Sequence, residues 1–266
     1  MKLQLVFSAT LLSAAAISSP AALAHDFWIE PQDYRPAINT DVPIVLRVGE
    51  DFTGTSQPLI PAWFSNYAAT GPSGVKPVRG MIGDDPAGSF IPDANGNWVV
   101  GYRSTRDFVE IEPKKFDTYL NAEGLEWVKE RRAETGEAES NAREIYSRCA
   151  KALIQVGDGT GTFDQALGYT LELIPEKDPY RLEVGGQLPL QLLYNGEPIS
   201  DILIIAFTAE APKVQQQHRT DAEGRVSINL SDTGTWLVKG VHIIELPEEE
   251  TRADWESFWA SLTFQL

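Results

Sequence analysis

The sequence predicts a mainly β protein: two β-sandwich-like domains with a helical insertion between them. Three observations predict it. Short apolar runs punctuated by Gly, Pro and Asn fill residues 25–113 and recur over residues 166–266. A proline-free stretch of helix formers, residues 114–157, separates them. The 266-residue length suits one large domain or two smaller ones with sizeable cores.

The chain opens MKLQLVFSATLLSAAAISSPAALA. Lys2 gives a thin positive region, Leu3 to Ile17 is nearly all apolar, and Ala22-Leu23-Ala24 has the form that signal peptidase accepts. The run is short for a membrane span and no basic cluster follows it. Residues 1–24 therefore read as a signal peptide cleaved after Ala24, leaving 242 residues that begin at His25. No cysteine follows the leader, so no lipid anchor is expected, and the product is expected in the periplasm. The leader carries Lys2 and no acid, so the formal charge of −16 becomes −17 on cleavage. So acidic a chain does not seek nucleic acid or anionic lipid. The single cysteine, Cys149, excludes an internal disulfide and a metal–thiolate cluster.

Within residues 25–113, INTDVPIVLRVGE, with Val42, Ile44, Leu46 and Val48 alternating, and WVVGY read as strands, the second preceded by the turn residues Asn95-Gly96-Asn97. Residues 114–157 are expected to be helical, with a bend at Gly136. In the second piece Ile145, Cys149, Ala152 and Val156 fall on one helical face, with Glu139–Arg143 and Glu144–Arg148 as i,i+4 pairs. Cys149 reads as a small buried residue there. Gly157, Gly159 and Gly161 read as a linker, since no lysine or strand-to-helix frame makes them a phosphate loop.

Residues 166–266 read as a C-terminal sandwich. LPLQLLY, the turn Asn195-Gly196 and ILIIAFT suggest a hairpin. Turns at Thr220–Gly224 and Ser231–Gly234 space further short strands evenly, in the manner of an Ig-like sandwich. WESFWASLTFQL supplies the closing strand.

Chemistry is narrowed by the histidines: His25, His218 and His242. A free α-amine ordinarily titrates near pH 7.7 and an imidazole near 6.5, so an N-terminal histidine offers two neutral nitrogens at neutral pH. Its amine and Nδ1 close a six-membered chelate ring on one ion. Such donors suit Cu(II), Ni(II), Co(II) or Zn(II) rather than Mg or Ca. In TWLVKGVHIIEL, His242 shares a face with Trp236, Val238, Gly240 and Ile244, opposite Lys239 and Glu245. Gly240 suggests room beside it for a ligand. His242 is therefore expected to supply a third nitrogen, and Asp26 or Glu30 to complete the site. His218 reads as a solvated surface residue. No nucleophile elbow, Walker sequence or H-E-x-x-H helix is present, so no catalytic residue is assigned and an enzyme is not expected.

The runs HDFWIEP, RPAINTDVPIVLRVGEDF, YSRCAKALIQVG, GTWLVKGVH and ADWESFWASLTF resemble the domain-of-unknown-function family 4198 across essentially the whole mature chain. The resemblance implies an exported, β-rich protein associated with nickel or cobalt uptake and a membrane importer as partner. It also marks His25 and His242. TDAEGRVSINLSDTGTWLV further resembles carboxypeptidase-regulatory-like sandwiches, which implies that Asp221 and Asp232 are turn residues rather than ligands.

The expectation is a periplasmic transition-metal-binding protein, for nickel or cobalt with copper or zinc as further candidates. Two other classes remain open. A copper oxidase with an N-terminal histidine brace would use the same ligands, with Trp28 and Trp63 as substrate-facing aromatics. In a metal-free structural or adhesion sandwich, His25 would be incidental.

Overall fold

The computed structural model describes residues 25–159, 161–247 and 249–266. The expected signal peptide, residues 1–24, lies outside the described residues. In the first half the strands are β1 (Asp26–Pro31), β2 (Val42–Glu50), β3 (Thr53–Gln57), β4 (Phe64–Gly71), β5 (Gly74–Pro77), β6 (Ser89–Phe90), β7 (Gly96–Ser104) and β8 (Asp107–Ile111). Two helices follow, α1 (Pro113–Ala122) and α2 (Glu126–Glu134), and then β9 (Ala142–Val156). The second half contains β10 (Leu171–Pro175), β11 (Gln187–Tyr194), β12 (Glu197–Pro198), β13 (Leu203–Thr208) and β14 (Gln216–Arg219). It ends with β15 (Arg225–Asn229), β16 (Thr235–Glu245) and β17 (Trp255–Gln265). The fold is mainly β with a short helical insertion, as the sequence predicts.

Strands from both halves share one nine-stranded sheet, ordered β14-β13-β16-β17-β9-β7-β4-β5, with β8 continuing β7 along the same edge of β9. The expected boundary near residue 113 therefore does not separate two sheets. A smaller sheet of β1, β2, β3 and β6 covers one face. Val42, Ile44 and Leu46 of β2 meet Trp98, Val100, Ala150, Ala152 and Ile154 there. A second small sheet of β10, β11, β12 and β15 covers the other face, where Leu188, Leu190 and Leu192 meet Val238, Phe258 and Leu262. The two layers are the two sandwich halves, back to back on a common sheet.

The helical insertion is shorter than expected. Pro113 opens α1 at its first turn, where its missing N–H costs nothing, and α2 ends at Glu134. Ala142–Val156 is a strand, not the second helix. It lies between β17 and β7, so its residues are buried on both faces and the alternation that marks a strand is lost. The two expected i,i+4 pairs do not form. Arg143 binds Asp254 instead, and Glu144 turns inward. Cys149 is buried, as expected, and burial pushes its thiol up.

The Asn195-Gly196 turn forms, with both residues at positive φ, but only β12 returns beside β11. ILIIAFT crosses to the nine-stranded sheet as β13, between β14 and β16. The turn was legible locally; the strand's destination depends on which sheet has an open partner.

Two buried charge sites hold the layers together. Lys151 of β9, 1% exposed, donates to Glu172 of β10 at 3.0 Å, and Glu172 also accepts the backbone N–H groups of Leu167, Gly168 and Tyr169. Glu144 of β9 accepts from the hydroxyls of Ser257 and Tyr119 beneath α1, and Trp259 donates to Ser257 at 2.9 Å. Its second oxygen has no partner among the described residues.

Burial pushes the Glu144 carboxyl up to about 7 against the pull of the two hydroxyls. The native state thus keeps a proton that the unfolded chain loses near 4.5. Its stabilising contribution is complete below pH 4.5 and is lost as pH rises towards 7, a difference on the order of 3 kcal/mol. Because the lowered His242 imidazole gives the opposite slope, the test is the difference between wild type and Glu144→Gln: in urea unfolding that difference should shift against wild type by about 2 kcal/mol between pH 5.5 and pH 8. A wild-type-minus-variant difference that stays the same at both pH values would remove Glu144 as a cause.

Candidate functional site

Residues 25–30 sit between the layers. Trp28 is fully buried against Ile205, Phe207 and Leu237, while Phe27 and Ile29 join the core under β2. Burying aromatics of this size is worth roughly 1.5 to 3 kcal/mol each, which holds β1 in place. The Thr263 hydroxyl donates to the Ile29 carbonyl at 2.6 Å, tying β1 to β17.

Asp26 points inward. It accepts from Lys239 of β16 at 2.6 Å, and Lys239 donates equally to Glu123, at the C-terminal end of α1, at 2.8 Å. Each of these three side chains is at most 12% exposed. Burial alone would pull the Lys239 ammonium down, but Glu123 and Asp26 outweigh it and hold it up. Burial pushes both carboxyls up against the pull of Lys239, because one ammonium offsets only one of the two charges. The triad joins β1, β16 and α1 and lines a cleft of about 540 Å³ with Glu50, Asp51, Lys114 and Lys115 at its sides.

The β1–β2 register pairs Asp26 with Gly49, so continuing it by one residue sets His25 opposite Glu50. Directly opposed residues place their Cβ atoms about 4.5–5.5 Å apart on one face. His25, Glu50 and Asp51 line an open cleft of about 910 Å³ with Tyr146 and Arg148. Asp51 and Phe52 form the β2–β3 turn with φ of 52° and 56°. Phe52 anchors that turn by packing edge-on against Trp28 and Phe207, each 5.6 Å away between centroids. Asp51 also meets Lys213 at 2.5 Å, leaving Glu50 the more available carboxylate.

The structure does not bring the four expected ligands together. Asp26 is held by Lys239, and Glu30 is paired with Arg47 at 3.1 Å and accepts from Trp28. His242 shares the expected face of β16, but that face turns towards β11. It packs against Tyr194, 4.6 Å between centroids, and Phe258, and burial pulls its imidazole down to about 4. Lys239, which holds Asp26, lies on the opposite face of the same strand. The nine-stranded sheet thus stands between His25 and His242. The space expected beside Gly240 is taken up: a Cβ there would lie 2.7 Å from the Ile204 side chain. His218 is exposed on the edge strand β14. Trp28 is core, whereas Trp63 is 48% exposed. Among the described residues no three His, Cys, Asp or Glu side chains gather to hold an ion.

The model of the family described as Domain of unknown function (DUF4198) matches residues 22–244. The chain belongs to that family. The match takes in β1 and most of β16, so family membership spans both sides of the shared sheet. No curated protein matches the chain. Among solved structures it is similar to the D0-D1 domain of Intimin, at 12% identity, covering 90% of this chain and 97% of that one, with a TM-score of 0.20. The three N-terminal domains of the bacteriophage RB49 Highly Immunogenic Outer Capsid protein (Hoc) give 12% identity, 90% and 59% coverage and a TM-score of 0.16. Neither likeness carries an argument about this DUF4198 member's function.

Glu50, Glu123 and Lys239 were missed by the sequence reading. Glu50 was reachable, since a strand ending in GED beside HDF invites pairing of the two ends. Glu123 and Lys239 lie far from β1 in sequence and had no local signal. Replacing Lys239 with Met leaves two buried carboxylates unpaired and should cost about 3 to 5 kcal/mol in urea unfolding. Were His242 a metal ligand, His242→Ala would lower Ni(II) affinity at least tenfold in a competition titration; its separation from His25 by the sheet predicts a change of no more than about twofold.

Proposed function

We propose that this protein is an exported periplasmic binding protein for a divalent transition-metal ion, nickel or cobalt foremost, which it passes to a membrane importer. The ion is held at the mature N-terminus. After cleavage behind Ala24, His25 offers its α-amine and imidazole, and Glu50 offers a carboxylate. The observation that carries the reading is the β1–β2 register, which sets His25 opposite Glu50 in one open cleft. Two nitrogens and one oxygen from the protein, with water completing the shell, form the kind of open site from which an ion can be released. This donor set differs from the one expected from sequence: His25 stays, Glu50 takes the third place, and Asp26 becomes the clamp behind it. An α-amine is not a side chain, so the lack of a three-side-chain cluster among the described residues is compatible with the site.

Intact mass of the exported protein should give a chain beginning at His25. That chain should bind one Ni(II) or Co(II) in a competition titration. His25→Ala, or one extra residue ahead of His25, should each weaken binding at least tenfold, and Glu50→Gln should weaken it several-fold. Equal affinity in the extended and native chains would sink the reading, because the extension displaces the amine while leaving every side chain in place.

A further inference from the structure

Arg148 lies on β9 in the notch between the β1–β3 sheet and the turn from β7 to β8. Its guanidinium carbon stands 4.8 Å from the ring centre of Tyr146 and 5.5 Å from that of Phe27. Among the described residues it forms no salt bridge with a carboxylate, in a chain of net charge −16. Two acids lie nearby: Asp107, which also lines the pocket, accepts from the Tyr146 hydroxyl at 3.1 Å, and Glu256 accepts from Arg106 at 2.7 Å. The notch opens into a pocket of about 180 Å³ lined by Phe27, Trp63, Tyr102, Tyr146, Arg148 and Gln57. Trp63 forms part of its wall while remaining 48% exposed.

We infer that this pocket is a binding site for a small organic carboxylate with a flat apolar body. The guanidinium lies over the rings of Phe27 and Tyr146 and is hydrogen-bonded to the Tyr146 side chain, so its remaining N–H donors are what it presents to a ligand. Those donors match a carboxylate, and the match is lost with Lys, which lacks the fork. The ring of Trp63 offers an apolar platform for the body of the ligand, which would cover the exposed indole. The pocket, about 180 Å³, has room for the carboxylate and single ring of a small acid. The metal donors proposed above are His25 and Glu50, but Tyr146 and Arg148 also wall their cleft, so the test is made without metal, and Trp63, which lines only the smaller pocket, tells the two readings apart.

The test uses the metal-free mature chain, with benzoate as probe and isothermal titration calorimetry as readout. Acetate carries the charge without the ring and benzyl alcohol the ring without the charge. Benzoate should bind one per chain, at least tenfold more tightly than either control. Arg148→Met should lose at least tenfold in benzoate affinity, and Arg148→Lys should recover only part of it. Trp63→Ala, a change at an exposed position, should weaken benzoate at least threefold with an unchanged thermal midpoint, and it decides the matter if the Arg148 variants fold poorly. Absence of saturable benzoate binding by the wild-type chain, or equal binding by Trp63→Ala and wild type, would overturn the inference.

Discussion

The last strand of the chain is the centre of the structure. β17 lies between β16, antiparallel, and β9, parallel, and all but its final residue are buried. It contributes to the cores on both faces, through Phe258, Leu262 and Phe264 on one side and Trp255 and Trp259 on the other. The small sheets and the helical pair are built on the surface that β17 completes. Parallel pairing between β9 and β17, about a hundred residues apart, is a long-range contact whose loop-closure entropy must be met before its packing contributes. The nine-stranded sheet therefore cannot be completed without residues 255–265, and both layers share in its stability.

The position of β1 follows from that sheet. Phe27 anchors it in the core that β9 shares and Trp28 against β13 and β16, and the Asp26–Lys239–Glu123 triad fixes its first residue to β16 and α1. A buried ion group of this kind adds little net stability, since desolvation offsets most of the attraction; breaking it is what costs. Its value is positional. With Asp26 turned inward, strand alternation turns His25 outward towards Glu50 and the open cleft. The residue that precedes β1 is thus held at one place on the surface.

Three clefts meet around residues 25–27, and they differ in charge. The one beneath Asp26 is lined by the triad, the one beside His25 by Glu50 and Asp51, and the one beyond Phe27 by Arg148 and aromatic rings. The first lies between the β1–β3 sheet and α1; the other two lie between that sheet and the part of β9 that carries Tyr146 and Arg148. The side chains of β9 record the change along its length: Glu144 lies under α1, Tyr146 and Arg148 face the gap, and Ala150, Ala152 and Ile154 lie under β2.

The sequence by itself determined the β class, the edges of many strands and the turns at Asn195-Gly196, Thr220–Gly224 and Ser231–Gly234. These depend on local chemistry: positive-φ residues, alternation and breakers act within a few positions. It also determined that His242 shares a face with Trp236 and Val238, because alternation is a property of the strand alone. Tertiary structure decided the rest. Ala142–Val156 is a strand because neighbours on both edges and layers on both faces surround it, which makes its pattern indistinguishable from a helical one in sequence. Which sheet takes β13, and which layer His242 faces, depend on pairings across the whole chain. Asp26 looked like a ligand beside His25, yet it is held by a lysine more than two hundred residues away. Periodicity tells which residues share a face; only the assembled sheet decides what that face meets.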